Sequence, residues 1–172
     1  MPTSDAEGKP WARARIVAAN PKVVVDVGAG DGTYSRLARA DTDARWVAVE
    51  AWGPYVTQYS LGELYDEVVL GDIRHIDLDT VAHEPDLVIV GDMLEHLPAD
   101  EVPVLVRRLQ GWARRLLVSV PVLHLEQGAV GGNWFERHLS EWSFEAMLDV
   151  LGAGVTESIC GDVLAYYLWE RS

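Results

Sequence analysis

Residues 22–35, Lys22-Val23-Val24-Val25-Asp26-Val27-Gly28-Ala29-Gly30-Asp31-Gly32-Thr33-Tyr34-Ser35, decide the fold. A short continuous apolar run closed by glycines is the pattern of a strand buried on both faces of a parallel sheet. The glycines let the backbone turn sharply and admit a ligand to main-chain atoms where a Cβ would collide. A helical pattern from Thr33 to Ala40 follows at once, so the stretch reads strand, ligand loop, helix. The loop suits a nucleoside cofactor. A dinucleotide fingerprint would want its third glycine at Thr33 and does not usually carry an acid as early as Asp26. A P-loop would need Gly-Lys-Ser/Thr, and this loop has no lysine.

Outward from this loop the same rhythm repeats. Apolar runs recur at 45–50, 67–71, 86–91 and 114–120, and helical patterns fall at 54–61, roughly 73–82 and 100–110. The last helix carries Val102, Leu105, Val106 and Leu109 on one face and stops at Gly111. Before the first strand, Pro10 to Ala19 reads as a leading helix with proline at its start and Asn20-Pro21 as its stop. Strand and helix alternating five times imply an open parallel sheet covered on both faces. Residues 122–139 break the rhythm with glycines, histidines and aromatics. Ser143 then caps a helix to about Leu151, and two β-rich runs around Gly161-Asp162 close the chain as a hairpin.

The chain has 172 residues, 49% hydrophobic and 24% charged, with a mean hydropathy of +0.02, which is enough apolar material for one core. Most of its seven tryptophans are expected in that core. The lone Cys160 makes no internal disulfide, and no stretch reads as a signal or a membrane span, so the expected setting is cytoplasmic, with no membrane partner. Fourteen basic against 27 acidic residues give a net charge of −13. Nucleic-acid affinity comes largely from Lys and Arg on phosphates, so a nucleic-acid partner is disfavoured and a small, especially cationic, ligand is favoured.

Each early strand ends in an acceptor: Asp26, Glu50, Asp72 in Gly71-Asp72-Ile73, and Asp92 in Gly91-Asp92-Met93. A carboxylate at Glu50 suits both hydroxyls of a ribose lying across the strand ends, and Asp72 suits an adenine amine while Ile73 packs on the ring. Such a rim has many acceptors and few donors. S-adenosylmethionine, with its sulfonium, ammonium, ribose and adenine amine, supplies the matching charge and donors.

The stretches VVVDVGAGDGTYS (23–35), VAVEAW (47–52), GDI (71–73) and DLVIVGDMLEHLP (86–98) resemble the class I S-adenosylmethionine-dependent methyltransferases in order and spacing. The resemblance implies a Rossmann-like, doubly wound α/β fold. Its mostly parallel seven-stranded sheet would have the order 3-2-1-4-5-7-6 and a C-terminal β-hairpin. One methyltransferase domain would span 9–172 after a flexible 1–8. It also implies that Asp26, Gly28 and Gly30 hold the methionine end, Glu50 the ribose, Ala51 and Trp52 one face of the adenine, Asp72 and Ile73 its edge, and Asp92 the methionine side of the mouth. Ala29 and Met93 complete the cofactor-binding set.

Reaction specificity is expected in the loop from His124 to Trp142, which contains Glu126, Gln127, Gly131-Gly132-Asn133, Trp134, Glu136 and His138. The loop is expected to close over the cofactor mouth on a Gly131-Gly132 hinge, with His138 as general base and Glu136 raising its basicity. Glu95-His96 is read as shaping a turn. No metal site is expected, since His124, Glu126 and His138 lack tight ligand spacing. Asn/Asp-Pro-Pro-Tyr/Phe is absent after the fourth strand and no Pro-Cys occurs, which by the resemblance disfavours base-amino and cytosine-C5 transfer. Methylation of a hydroxyl or carboxyl on a small molecule or glycan is the expected activity. An inactive cofactor-binding scaffold and a dinucleotide or nucleotide-sugar enzyme on a similar sheet are the alternatives.

Overall fold

The computed structural model describes residues 5–172. Seven strands, β1 (Val23–Val27), β2 (Arg45–Glu50), β3 (Glu67–Leu70), β4 (Leu87–Gly91), β5 (Arg115–Pro121), β6 (Val155–Cys160) and β7 (Leu164–Glu170), form one sheet in the order β3-β2-β1-β4-β5-β7-β6. Strands β1 to β5 are mutually parallel, whereas β7 runs antiparallel between β5 and β6. The expected sheet, its order and its terminal hairpin are all present.

Alternation along the strands sends their side chains to two apolar layers. Val25, Val27, Val47, Val49, Val88, Val90, Leu116 and Val118 pack beneath α6 (Val102–Trp112) and α7 (Phe144–Leu151). On the other face, Val24, Trp46, Ala48, Leu87, Ile89 and Leu117 meet α1 (Lys9–Ala19), α2 (Thr33–Ala38) and α4 (Leu61–Leu64). Three tryptophans, Trp46, Trp112 and Trp169, are buried. Trp11 and Trp142 are half-buried and packed against the core, and Trp134 is 68% exposed.

Two helical expectations shorten for local reasons. The 54–61 pattern divides into α3 (Gly53–Gln58) and α4, because Ser60 adopts a left-handed φ of 52°. The 73–82 pattern reduces to α5 (Leu78–Val81), capped by Asp77. Upstream, the Asp72 side chain accepts from the Arg74 N–H and its carbonyl from His75, a turn that competes with helix.

Residues 1–4 of the segment expected to be flexible lie outside the described residues. The part that follows is tied down: the Glu7 carboxylate accepts from the N–H groups of Asp162, Val163 and Leu164 in the hairpin turn, and Tyr166 donates its hydroxyl to the Glu7 carbonyl. Among the described residues no helix is long and apolar enough to cross a membrane.

Ile89 is fully buried in β4, paired with Asp26 of β1 and Leu117 of β5. Ile89→Ala is expected to lower unfolding free energy by about 2–5 kcal/mol, read from urea denaturation, and a loss below about 1 kcal/mol would contradict this packing.

Candidate functional site

A cavity of about 740 Å³ opens where the parallel strands end, within the usual size for a small-molecule site. Gly28, Ala29, Gly30, Glu50, Ala51, Asp72, Ile73, Asp92 and Met93 line it, as the sequence led us to expect. Gly28 has a φ of 72°, and a Cβ there would stand 2.8 Å from Met93 Cγ, so the loop needs glycine for both conformation and space.

Glu50 ties two of the cavity loops together. Its Oε2 accepts from the Gly30 N–H at 3.0 Å and its Oε1 from the Trp52 N–H at 2.7 Å, so one carboxylate joins the loops after β1 and β2. Burial raises its pKa, and these two N–H groups oppose the rise. Each oxygen keeps further acceptor capacity toward the cavity.

Two expected cofactor residues lie elsewhere. Asp26 points to the face it shares with Val24 and accepts the Tyr65 hydroxyl at 2.5 Å instead of lining the cavity. The period of two along β1 dictates this, because Val25 and Val27 take the opposite face. Trp52 offers its N–H to Glu50, but its ring does not line the cavity. Tyr55, one turn further along, does line it.

Asp72 and Asp92 reach the cavity already partnered. Arg74 donates to both oxygens of Asp72 and also to Glu101. Burial would raise the Asp72 pKa, yet the Arg74 guanidinium and N–H hold it below the usual range. Asp92, at a φ of 50°, accepts the Ser119 hydroxyl at 2.6 Å. The chain runs on from Ser119 to the Tyr34 hydroxyl and to Lys9, whose Nζ lies 3.6 Å from Asp92 Oδ2.

On the opposite wall the 122–139 segment supplies Leu123, Leu125, Gln127, Asn133, Phe135 and His138. His138 lines the cavity, with its Nδ1 2.6 Å from the Leu125 carbonyl. Glu136 does not hydrogen-bond to it; the Glu136 carbonyl accepts from Gln127, and its side chain faces Tyr55. Gly131 and Gly132, with φ of 55° and 85°, form a tight turn closed by paired N–H and carbonyl groups of Val130 and Asn133. The pair is thus a closed turn rather than an open hinge.

Sequence reasoning missed the importance of Glu95 and His96. They sit in a 3₁₀ turn (Leu94–His96) after β4 and line the cavity beside His138. Burial pushes the Glu95 pKa up, with the Asp92 charge adding to it, and burial lowers His96 to about 4. The Leu-Glu-His-Leu-Pro sequence was visible, but its proximity to His138, 42 residues from His96, was not.

This sheet order and strand-end cavity belong to the class I methyltransferase fold. The N-terminal domain of EvdMO1, solved in the presence of SAH and D-fucose, matches with a TM-score of 0.68 at 12% identity, over 98% of this chain and 85% of that one. Magnesium protoporphyrin IX methyltransferase (ChlM) from Synechocystis PCC 6803 with bound SAH matches at 0.70 and 20% identity, over 96% and 82%. The methyltransferase domain of bacterial CtHen1-CN matches at 0.68 and 16%, over 95% and 97%. No protein-family model matches the sequence, and no curated protein matches it.

Burial raises the Asp26 pKa to about 7, while the Tyr65 hydroxyl and the Lys9 charge oppose the rise and Glu50 and Asp31 add to it. The folded pKa exceeds the unfolded value, so the folded state binds the extra proton and stability falls as pH rises through 7. Asp26→Asn keeps an acceptor for Tyr65 and removes this slope. Between pH 5 and 8 the wild type is expected to lose roughly 2–3 kcal/mol relative to the variant, and parallel stability–pH curves would refute the assignment.

Proposed function

We propose that this protein is an S-adenosylmethionine-dependent methyltransferase acting on an oxygen of a small, non-nucleic acceptor such as a glycan or hydroxylated metabolite. The observation that carries this reading is the Glu50 carboxylate, fixed by Gly30 and Trp52 at the centre of a strand-end cavity rimmed by further acceptors. The donor chemistry fits: hydroxyls, an ammonium and an adenine amine all need acceptors, and the rim offers carboxylates and backbone carbonyls. Similar structures of magnesium protoporphyrin IX methyltransferase hold SAH or SAM, and another similar structure is that of the small RNA methyltransferase HEN1. The net charge of −13 supports a non-nucleic acceptor among these classes.

When bound, the cofactor supplies an electrophilic methyl group on sulfur. Glu50 would take the ribose hydroxyls, and the Gly28–Gly30 backbone would hold the methionine end beside Asp92 and Met93. Ala51 and Ile73 would enclose the adenine, with Tyr55 replacing Trp52 as the nearby aromatic. Asp72 would accept from the adenine amine with whatever capacity Arg74 leaves it. Asp26 and Trp52 act from outside the cavity, the first on the fold and the second through its N–H.

The chain's main contribution to rate is alignment of acceptor and methyl group, to which a base adds. His138 is the leading candidate. Its Nδ1 at the Leu125 carbonyl puts the ring proton there, which leaves the Nε2 lone pair to receive the acceptor proton.

Calorimetric titration with S-adenosylmethionine, S-adenosylhomocysteine and NAD tests the cofactor. Binding of the first two is expected, NAD binding would favour the dinucleotide alternative, and cofactor binding without turnover on any acceptor would favour a scaffold. Glu50→Ala is expected to weaken S-adenosylhomocysteine binding by roughly 2–4 kcal/mol through loss of two charge-assisted bonds, and unchanged affinity would remove Glu50 from the ribose. Once an acceptor is found, His138→Ala is expected to lower turnover by about 10²–10⁴ while cofactor affinity stays within a few fold. Wild-type turnover would make His138 structural.

A further inference from the structure

We propose that Glu95, His96 and His138 form a binding site for one divalent transition-metal ion on the acceptor side of the cavity. One ligand atom from each of the three lies within 4.8 Å of the others, and all three residues line the cavity. The two imidazole rings meet edge to face with centroids 5.0 Å apart. Metal bonds of about 2.0–2.2 Å to imidazole nitrogen and carboxylate oxygen set the ligands of a tetrahedral ion about 3.4 Å apart, so rotation of the side chains by about an ångström closes the set on an ion.

Two further observations point to a ligand. Glu95 is only 3% exposed, and its Oε2 is a buried oxygen with no hydrogen-bond partner. A buried carboxylate oxygen in that state needs a counter-charge or a donor, and the Glu95 carboxylate brings an oxygen within 4.8 Å of a nitrogen of His96 and of His138. The tautomers agree with this. His96 Nδ1 lies 3.1 Å from the Arg137 carbonyl and His138 Nδ1 2.6 Å from the Leu125 carbonyl, so both ring protons sit on Nδ1 and both lone pairs on Nε2. A carbonyl behind each ring is the support that metal-binding histidines commonly have.

The backbone holds the set together before any ion arrives. The N–H groups of Leu139 and Ser140 both donate to the Glu95 carbonyl, and the His138 N–H donates to the Gln127 carbonyl. The turn after β4 and the segment carrying His138 are thus joined at the ligands themselves. His124, by contrast, lies with Glu141 and Glu126 and takes no part.

Two nitrogens and one oxygen suit Zn²⁺, Mn²⁺, Fe²⁺ or Co²⁺ rather than Ca²⁺ or Mg²⁺, which prefer all-oxygen shells. Three protein ligands leave positions open toward the cavity, where an acceptor oxygen or a water would bind and have its proton acidified. In the loaded protein His138 is then a ligand, and the ion takes over the acidifying role assigned above to the free imidazole.

The test uses the full chain, freed of any histidine tag and stripped with chelator, and needs neither cofactor nor acceptor. Titration with Co²⁺ is expected to give one ion per chain with visible d–d absorption, and Zn²⁺ is expected to displace it. Cu²⁺ substitution of the wild type is expected to show electron-paramagnetic coupling to two nitrogens. Glu95→Gln, His96→Ala and His138→Ala are each expected to weaken Co²⁺ binding at least about tenfold, whereas His124→Ala leaves it unchanged. Absence of stoichiometric Co²⁺ binding, coupling to fewer than two nitrogens, or binding that survives in a folded His96→Ala/His138→Ala double variant would overturn the site. S-adenosylhomocysteine binding to the stripped protein is measured separately, so a failed metal site and a failed cofactor reading give different results.

Discussion

Strands β1, β2, β4 and β5 are covered by apolar layers on both faces, and this constraint governs where chemistry is located. A polar side chain within such a strand must find a buried partner, as Asp26 does with Tyr65. Otherwise it must wait for the strand end, where the backbone leaves the sheet. The chain passes from β1 outward to β2 and β3, then returns to β4 on the other side of β1. The loops after β1 and β4 therefore diverge, and the crevice between them is the natural ligand position in an open parallel sheet. Gly91 at the end of β4 shows how tightly this corner is packed, since a Cβ there would stand 2.1 Å from the Tyr34 ring.

Within that crevice the two halves of the cavity are built differently. The half next to Glu50 rests on strand ends and on backbone N–H groups bonded to its carboxylate, so its shape follows from the sheet. The other half rests on the segment after β5, which has no strand of its own beyond the Val130–Asn133 bridge. That segment is fastened to the β4 turn through the Glu95 carbonyl and the His96 ring. Trp134 and Leu139, which do not line the cavity, are exposed on it. A fold can exchange such a segment without disturbing its core, which is why one sheet serves many acceptors.

The strands were legible because each is a short apolar run closed by glycine or acid, a signal set by burial on both faces. The acceptors at their ends were legible for the same reason. What misled the reading was direction and partnership. Asp26 belongs to the strand-end series by position but faces away by the period of two, and only the location of Tyr65, 39 residues on, makes that arrangement stable. Trp52 resembles an adenine neighbour in sequence, yet its N–H is used by Glu50 and its ring lies off the cavity. The helix expected from Ile73 gave way to a turn because Asp72 and Arg74 satisfy each other locally. Gly131-Gly132 has the composition of a hinge, and only the backbone pairing of its neighbours reveals a turn.

Glu95 is the residue that sequence could least reveal, because what matters about it is what it lacks. In one dimension it is an acid before a histidine in a turn, and a solvated acid at a helix approach needs no explanation. In the fold, its carbonyl is used twice by the 139–140 backbone, which draws the turn inward and buries the carboxylate with it. The stitching that fastens the segment after β5 therefore also strips Glu95 of water. Burying a carboxylate oxygen without a donor is costly, and a less expensive residue such as glutamine or leucine would fit a purely structural turn. The ion proposed above, held between the carboxylate and the two imidazoles, would offset that cost. The turn at the end of β4 thus brings two carboxylates to one cavity, Asp92 and, three residues later, Glu95.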